Sequence, residues 1–327
     1  STLTCARLNP GTGSQLATLY SYTNTTGELI GIDYSDSTPD VAFVMDRLGR
    51  QVRISDGQGS RDFGYDEYLA LVSETLTVGT QSNVLARSYD SQGRQNGLTE
   101  TSVSYHVNYG FDGLGRFSTL LATNSGVQVA NVQYAYMAGS DLLSGWTNAV
   151  PGTSVSRNYE SNRDLLTQVK NMGGHTTVSE FNYSNDALGR RTARIDSGAA
   201  FTGVLTNDFG HNTRNELTSA QMGVSQYGYA FDPIGNRTAS TNAGESLAYE
   251  ANQLNQYTQI MDGGTNTVFH DPDGNLTNDG CRVFSWDAEN RLLCVEPLSP
   301  TNGAKRVRSN YDYMSRRVEK AVDHWPG

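Results

Sequence analysis

Acidic residues recur in this sequence at positions where they could act in pairs. In each clear copy, Asp is preceded by an aromatic residue, Met or Asn and is followed by two variable residues, Gly, and then Arg or Asn. Two carboxylates held about 5 to 10 Å apart can serve as the acid and base of glycoside hydrolysis. The aspartates are Asp46, Asp90, Asp112, Asp186 and Asp232, and the glycines that follow them are Gly49, Gly93, Gly115, Gly189 and Gly235.

The surroundings of these aspartates favour a structural role, that of a turn former. In the stretch 181–197, an aromatic run ends shortly before Asp186, and an alternating run begins at Arg190. Asp at the first position of a tight turn can accept a hydrogen bond from the backbone two residues on, and Gly at the fourth can take the positive φ that ends such a turn. We therefore predict a β-hairpin here and assign turn formation, not catalysis, to all five aspartates.

The same signature returns along the chain, with looser copies between the clear ones. From position 232 the acidic residue returns at 250, 271, 287 and 312, at intervals of 16 to 25 residues. Self-similarity at such a period indicates a repeat architecture, in which each repeat is one supersecondary unit. We expect the repeat to fill the chain and to leave no segment for a separate catalytic domain.

On these residues, from about Tyr20 to Val322, the sequence resembles the YD-repeat family, also called RHS repeats. Its members form strips of β-hairpins that spiral into a hollow shell, in bacterial polymorphic toxins, in the C component of insecticidal toxin complexes and in animal teneurins. The resemblance implies an all-β fold of consecutive antiparallel hairpin repeats that form a curved or spiralling strip. It also implies a non-catalytic segment of an exported or cell-surface bacterial protein that scaffolds or encloses another polypeptide.

The resemblance covers a self-cleaving element only in part. Toxin members of the family end in a core with paired Asp-Pro-x-Gly elements, where an aspartate cleaves off the C-terminal toxin. The two similar stretches here begin at Asp232 and Asp271, 39 residues apart, and each falls on an ordinary repeat turn. We therefore expect neither self-cleavage nor a toxin domain within this chain.

Alternation within the strands predicts which side chains share a face. Tyr227, Tyr229 and Phe231 occupy one face of their strand, and Gly228 and Ala230 the other. Aromatic ladders of this kind stabilise neighbouring hairpins by cross-strand contact. The Arg that follows the turn Gly is expected to lie across the ring of the preceding repeat or to pair with its own Asp.

The expected domain organisation is a single array over residues 1–327. Residues 1–19 carry little pattern beyond a turn at 10–13 and are interpreted as an irregular lead-in. The chain begins without Met and without a basic-then-apolar segment, so we interpret it as a piece of a larger, exported protein. It has no run of 18 apolar residues, so we expect no membrane span.

Charge and cysteine content narrow the classes of partner. The formal net charge of −10 argues against nucleic acid or an anionic membrane surface as the main partner. The three cysteines, Cys5, Cys281 and Cys294, do not form a disulfide framework. Cys281 and Cys294 flank one expected turn, so a single bridge is one alternative, and two unpaired buried thiols are the favoured one.

Two further functions stay open as alternatives to a scaffold. Exposed aromatic residues can stack on sugar rings, and Trp146 and Trp325 are the first candidates for carbohydrate binding at a cell surface. A polysaccharide-active enzyme is less favoured, because no carboxylate pairing emerges from the pattern. Open sheet edges could also allow self-association.

The metal-binding alternatives are weaker. The five histidines are scattered without ligand spacing, so we expect no zinc site and no cofactor. The segment 271–280 resembles an oxygen-rich calcium loop, but its Gly stands fourth and no Glu stands twelfth, so turn formation is favoured there too.

Overall fold

The fold was analysed in a computed structural model, which describes residues 2–8 and 15–325. Strand accounts for 61% of the chain, and the described residues contain no helix. They therefore include no helix long and apolar enough to cross a membrane. The predicted all-β class is confirmed.

Thirty strands follow one another in the described residues. The first fifteen are β1 Thr2–Leu8, β2 Gln15–Tyr22, β3 Leu29–Tyr34, β4 Val41–Met45, β5 Gln51–Asp56, β6 Gly59–Tyr65, β7 Leu71–Val78, β8 Gln81–Tyr89, β9 Gln95–Glu100, β10 Tyr105–Phe111, β11 Phe117–Asn124, β12 Val127–Tyr136, β13 Leu143–Asn148, β14 Thr153–Tyr159 and β15 Leu166–Gly173. The others are β16 Thr176–Asn185, β17 Arg191–Ser197, β18 Leu205–His211, β19 Leu217–Met222, β20 Ser225–Phe231, β21 Arg237–Asn242, β22 Glu245–Ala251, β23 Tyr257–Met261, β24 Thr265–Thr267, β25 Phe269–His270, β26 Leu276–Asn278, β27 Arg282–Trp286, β28 Leu292–Pro297, β29 Lys305–Tyr311 and β30 Arg317–His324.

Most strands that are consecutive in the sequence pair antiparallel, as in β10 with β11 and β29 with β30, but β24 and β25 lie in different sheets. β1–β24 belong to one 24-stranded sheet that is not closed, and β25–β30 form a six-stranded sheet. The predicted irregular lead-in over residues 1–19 needs correction, because β1 pairs with β2 from Thr2↔Ser21 to Leu8↔Gln15. The turn predicted at 10–13 lies outside the described residues. The two flanking strands contribute a hairpin of the same kind as those that follow.

The chain divides into two compact units. Unit 1 comprises Ser1–Asn83 and Leu247–Gly327, and unit 2 comprises Val84–Ser246. Unit 1 therefore contains segments from both halves of the sequence. Unit 2 is one continuous series of hairpins.

Two kinds of turn alternate between the strands. We call the first kind the D-turn: it begins with the recurrent acidic residue or its substitute and joins, for example, β4 to β5 and β10 to β11. The second kind, the glycine turn, is a short connection at the opposite end of the strands, such as Gly57-Gln58 between β5 and β6. One row of D-turns and one row of glycine turns follow from this alternation.

A register shift lies beside the D-turns. The pairing shifts between Val44 and Met45 in one hairpin and between Gly110 and Phe111 in another. A β-bulge of this kind bends the strand and changes the direction of a side chain. The shift falls immediately before the aromatic or Met position of the signature, which precedes the turn acid.

Few apolar side chains are fully buried in the part of the chain that the structure describes. The buried apolar residues are Val41, Ile54, Val107, Ala122, Ala220 and Val268. Buried polar residues are also present, among them Asp196, Asn207 and Asp312. Because apolar burial is the main favourable term in ordinary domains, a small core leaves the polar contacts of the turns with a larger share of the stability.

Candidate functional site

The D-turn uses both oxygens of its carboxylate, as the turn at 112–115 illustrates. Asp112 Oδ1 accepts hydrogen bonds from the N–H groups of Leu114 and Arg116, each at 2.9 Å. Oδ2 accepts a bond from Arg116 Nε at 2.8 Å. The N–H of Gly115 donates to the carbonyl of Asp112 at 3.0 Å, and Gly115 has φ +83°. The acidic, glycine and arginine positions of the signature therefore each provide a hydrogen bond or the backbone angle that closes the turn.

The other four predicted turns have the same geometry. At Asp46, Asp90, Asp186 and Asp232, the two N–H bonds to Oδ1 measure 2.8 to 3.0 Å. The glycines Gly49, Gly93, Gly189 and Gly235 have φ between +76° and +98°. These carboxylates are thus engaged inside their own turns.

Hydrogen bonds to the turn aspartates also fix their charge. The backbone N–H of Arg116, followed by its side chain, lowers the pKa of Asp112, and Arg50 does the same for Asp46. The Arg190 side chain lowers the pKa of Asp186. A general acid needs a carboxyl group that holds its proton near neutral pH. The arrangement therefore suits ionised hydrogen-bond acceptors and does not suit acid catalysis.

Several turns keep this geometry with other residues. Asn212 accepts bonds from the N–H groups of Arg214 and Glu216, and Asn215 takes the positive φ of +67°. Because the turn that begins at Asp66 has Leu69 in place of Gly, its sequence predicts a less regular turn. It is regular instead: the N–H groups of Tyr68 and Ala70 bond to Asp66 Oδ1 at 2.9 Å, and Leu69 has φ +69°. The backbone bonds thus outweigh the steric cost of Leu in the left-handed region.

Arginines connect neighbouring hairpins, and the direction of the contact corrects the sequence prediction. Arg50 lies over the ring of Tyr65 at 4.3 Å, and Arg116 lies over Tyr136 at 4.2 Å. Each ring belongs to the following repeat, not to the preceding one. The reason is that the Arg begins the second strand of its hairpin, and the next hairpin packs beside that strand. The same Arg also pairs with its own Asp, as predicted, so the ion pair and the contact with the following ring occur together.

Arginine side chains also bond to the next turn along the chain. Arg116 donates to the carbonyl of Ser140 at 2.6 Å, and Arg190 donates to the carbonyl of Asn212 at 2.9 Å. In unit 1, Arg291 donates to the carbonyl of Asp312 at 3.0 Å. A carboxylate, a guanidinium and a backbone carbonyl therefore link one D-turn to its successor.

Unit 1 contains a second set of contacts between segments about 250 residues apart, which we call the seam. Tyr34 OH donates to Glu289 Oε1 at 2.6 Å. The N–H of Ala288 donates to Thr38 Oγ1 at 2.9 Å, and Thr38 is buried. Burial and the hydrogen bond to Glu289 raise the pKa of Tyr34. The D-turn at 287–290 therefore docks on the loop between β3 and β4.

The next D-turn of the seam, at 312–315, makes a similar set of contacts. The N–H of Tyr313 donates to Asp56 Oδ2 at 3.0 Å, and its ring packs edge-on against Phe43, with centroids 6.4 Å apart. Arg61 Nη2 lies 3.2 Å from Asp312 Oδ2. Asp56 immediately precedes the glycine turn at 57–58, so this seam contact joins a D-turn to a residue beside a glycine turn.

Asp312 is the most buried charged group of the seam. It is 1% exposed, and it also accepts bonds from the N–H groups of Met314 and Arg316. Burial alone would raise the pKa of Asp312, but the bonds from the side chain and backbone of Arg316 hold it below its ordinary value. Glu74 binds the other side of Arg61 at 2.8 Å. The seam thus contains two carboxylates paired with Arg61.

The space at the seam is small. A cavity of about 70 Å³ lies between side chains that include Val41, Phe43, Asp56 and Tyr313. Pockets for drug-sized ligands usually measure about 300 to 1,000 Å³. This cavity is therefore too small for a polysaccharide chain. Sequence reasoning missed the seam, because its partners are far apart in the chain and lie on different repeats.

The two tryptophans proposed for sugar binding lie in different units. Trp146 is half-buried in β13, where it pairs with Tyr134 and Val155 on the flanking strands. Trp325 is half-buried after β30, and Arg306 lies over its ring at 5.3 Å. Carbohydrate binding by these residues stays a prediction.

The cysteines and the oxygen-rich segment at 271–280 have ordinary surroundings. Cys281 and Cys294 are free thiols, but neither is buried as expected: Cys281 is exposed in the short connection between β26 and β27, and Cys294 is half-buried in β28. The side chain of Cys5 is outside the described part of the structure. Asp271 uses its oxygens to bind Asn275 within the D-turn, at 2.8 and 3.0 Å. Within residues 2–8 and 15–325, no three His, Cys, Asp or Glu side chains form a metal-binding group.

Antiparallel hairpins, each closed by a D-turn and tied to the next by arginine, define an RHS/YD-repeat-like fold. The chain is similar to the crystal structure of TcdB2-TccC3-Cdc42, with a TM-score of 0.67 and 14% identity over 98% of this chain and 19% of that one. For TcdB2-TccC3 the TM-score is 0.65, with 14% identity over 98% of this chain and 20% of that one. For TcdB2-TccC3-TEV the TM-score is 0.59, with 12% identity over 96% of this chain and 22% of that one. The chain thus spans about a fifth of the length of these structures. No family model and no curated protein matches the sequence.

Proposed function

We propose that this chain is a non-catalytic wall segment of an exported or cell-surface bacterial protein, in which hairpin repeats scaffold or enclose another polypeptide. The observation that carries the proposal is the use of the recurrent carboxylates inside their own turns, at Asp46, Asp90, Asp112, Asp186 and Asp232. Carboxylates engaged in this way hold the turns of a wall together, so none of the five is available to act on a substrate.

The likeness to the TcdB2-TccC3 structures supports the wall-segment proposal through the fold. One of those structures is named for a further component, Cdc42. The matched structures are about five times as long as this chain. We accordingly propose that residues 1–327 are one array within a longer protein and that the partner polypeptide is supplied by that protein or bound by it.

The test is limited proteolysis of the longer protein that contains this array. We expect the hairpin region and the polypeptide that it encloses to resist trypsin together, and both to be cut once the seam is weakened by Asp312→Ala. The Asp112→Ala variant serves as the control, because Asp112 forms the same turn outside the seam. Cleavage of the partner segment at the rate of an isolated unfolded peptide, with the array intact, would reject enclosure.

A separate measurement addresses the absence of catalysis. The chain is incubated with a panel of oligosaccharides, and products are separated by mass. We expect no product above the level of a heat-denatured sample. Turnover that survives in a variant with all five turn aspartates changed to Asn would place an active site elsewhere in the chain.

A further inference from the structure

Unit 1 contains strands of both sheets, and the connection between these sheets is slight. Among the described residues, no strand of the 24-stranded sheet pairs with a strand of the six-stranded sheet, and a single residue, Val268, separates β24 from β25. The N–H of Val268 bonds to the carbonyl of Thr258 at 2.8 Å. Next to it, Asn266 lies so close to Gly280 that a Cβ on this glycine would stand 2.5 Å from the Asn266 Cβ. We call residues 266–268 together with Gly280 the pivot.

Strand pairing in the six-stranded sheet is weakest beside the pivot. β25 pairs with β26 at two positions, and β26 pairs with β27 at one, Asn278↔Val283. At the far side of the sheet, β29 and β30 pair at seven positions, from Lys305↔His324 to Tyr311↔Arg317. Segments with few backbone pairs and few buried apolar contacts open at a low free energy. The chain beside the pivot can therefore change direction while β27–β30 stay paired.

The seam is the other attachment of the six-stranded sheet, and its character is polar. The contacts described above are hydrogen bonds, an ion pair and one edge-on contact between rings. Met314, within the docked turn at 312–315, stays 56% exposed, and a cavity of about 70 Å³ remains at the seam. Parts of a chain that meet through a small and polar contact are expected to move relative to each other, whereas a large apolar contact holds them together.

We propose that the six-stranded sheet turns about the pivot as a folded body, between a closed state in which the seam is formed and a minor open state in which it is broken. The D-turns at 287–290 and 312–315 leave their partners together, because both belong to this sheet. In a wall that encloses a polypeptide, such a sheet provides a place of entry or exit. That use rests on the proposed function, whereas the motion itself does not.

The test is hydrogen exchange of the full chain, resolved to single amides. The amides of Ala288 and Tyr313 donate to acceptors on the other side of the seam, so they are protected only while the seam is closed. After correction for their intrinsic rates, we expect the two amides to be protected equally and with little dependence on urea, because opening a polar contact exposes little surface. The amides that pair β29 with β30 should exchange more slowly and depend steeply on urea.

Two variants weaken the seam from its other side and leave both D-turns intact. Tyr34→Phe removes the hydroxyl that donates to Glu289 in one turn, and Arg61→Ala removes the partner of Asp312 in the other. Each variant should speed exchange at both reporter amides by the same factor, roughly two- to tenfold for one lost bond. Exchange between β29 and β30 should not change.

Tyr65→Phe is the matched control, because it removes a hydroxyl that donates to the carbonyl of Gln51 at 2.9 Å, outside the seam. It should change neither reporter amide. Acceleration of Ala288 alone in Tyr34→Phe, or of neither amide in both variants, overturns the proposal, because the two turns would then not open together. Reporter amides that exchange at the rate and with the urea dependence of the β29–β30 amides overturn it as well, since the seam would then open only by unfolding. The measurement needs only the chain itself, so its outcome is independent of whether the chain encloses a polypeptide.

Discussion

The contribution of the seam can be measured by removing the carboxylate of Asp312. Asp312→Ala removes a carboxylate that is 1% exposed. This carboxylate accepts hydrogen bonds from the backbone amides of Met314 and Arg316 and from the side chains of Arg316 and Arg61. Breaking a buried ion pair by deleting one partner costs about 3 to 5 kcal/mol. We expect the lower end, about 3 kcal/mol, because Arg61 keeps Glu74 as a partner at 2.8 Å.

Thermal unfolding followed by circular dichroism reports this loss. A change of about 3 kcal/mol in the unfolding free energy lowers the melting temperature by roughly 6 to 12 °C for a unit of this size. The matched control is Asp112→Ala, which removes the same turn bonds from a carboxylate that is 25% exposed and outside the seam. We expect a clearly smaller shift for the control.

A double-mutant cycle then isolates the bond across the seam. Arg61→Ala removes the partner from the other segment and leaves the D-turn of Asp312 intact. Because the two side chains are in contact, the losses in Arg61→Ala and Asp312→Ala should be non-additive in the double variant. Additive losses, or equal shifts for Asp312→Ala and Asp112→Ala, would refute the reasoning that the seam stabilises unit 1.

Three further predictions address the turns and the thiols. Gly115→Ala should cost about 1 to 2 kcal/mol, because Gly115 has φ +83°, whereas Gly113→Ala in the same turn should be near neutral, and urea unfolding compares the two. The melting temperature should stay level from pH 7 to 5 and fall below about pH 4. The turn carboxylates have folded pKa values below their unfolded values, so their contribution is present above the unfolded pKa and is lost as the pH falls through the folded one. A melting temperature that is unchanged down to pH 2 would contradict this. A thiol reagent followed by peptide mapping should label exposed Cys281 faster than Cys294, whose pKa is raised by burial, and equal rates would contradict the described exposures.

The turns were predictable from sequence because their chemistry is local. The bond from Leu114 N to Asp112 spans two residues, and the positive φ of Gly115 belongs to one residue, so both leave a mark at fixed spacing. The acidic and glycine positions of the signature coincide with the first and fourth residues of the D-turns, as at Asp112 and Gly115. The turn at Asp66 was predicted to be less regular because Leu69 stands at the position that needs a positive φ. Leu can adopt this left-handed conformation at an energetic cost, and Leu69 does so.

The contacts between hairpins were harder to predict from the sequence. Arg116 was expected to meet a ring or its own Asp, and the choice of the following ring, Tyr136, depends on which side the next hairpin packs. The seam depends on pairs such as Tyr34 and Glu289, 255 residues apart. Neither residue departs from the repeat pattern in a way that would indicate a long-range partner. Three-dimensional placement was needed for both.

The preference of the D-turn for backbone partners has a consequence for divergence. Asp112 Oδ1 binds two amides, and the arginine beyond it reaches a carbonyl of the next turn. Every residue type supplies a backbone carbonyl, and every type except Pro supplies a backbone N–H, so the residues that provide these atoms can be exchanged widely while the bonds persist. A fold held by such bonds can therefore keep its turns while most side chains differ, and the chain shares its fold with the TcdB2-TccC3-Cdc42 structure at 14% identity. Distant members of this architecture are better sought by the spacing of a few turn positions than by overall similarity.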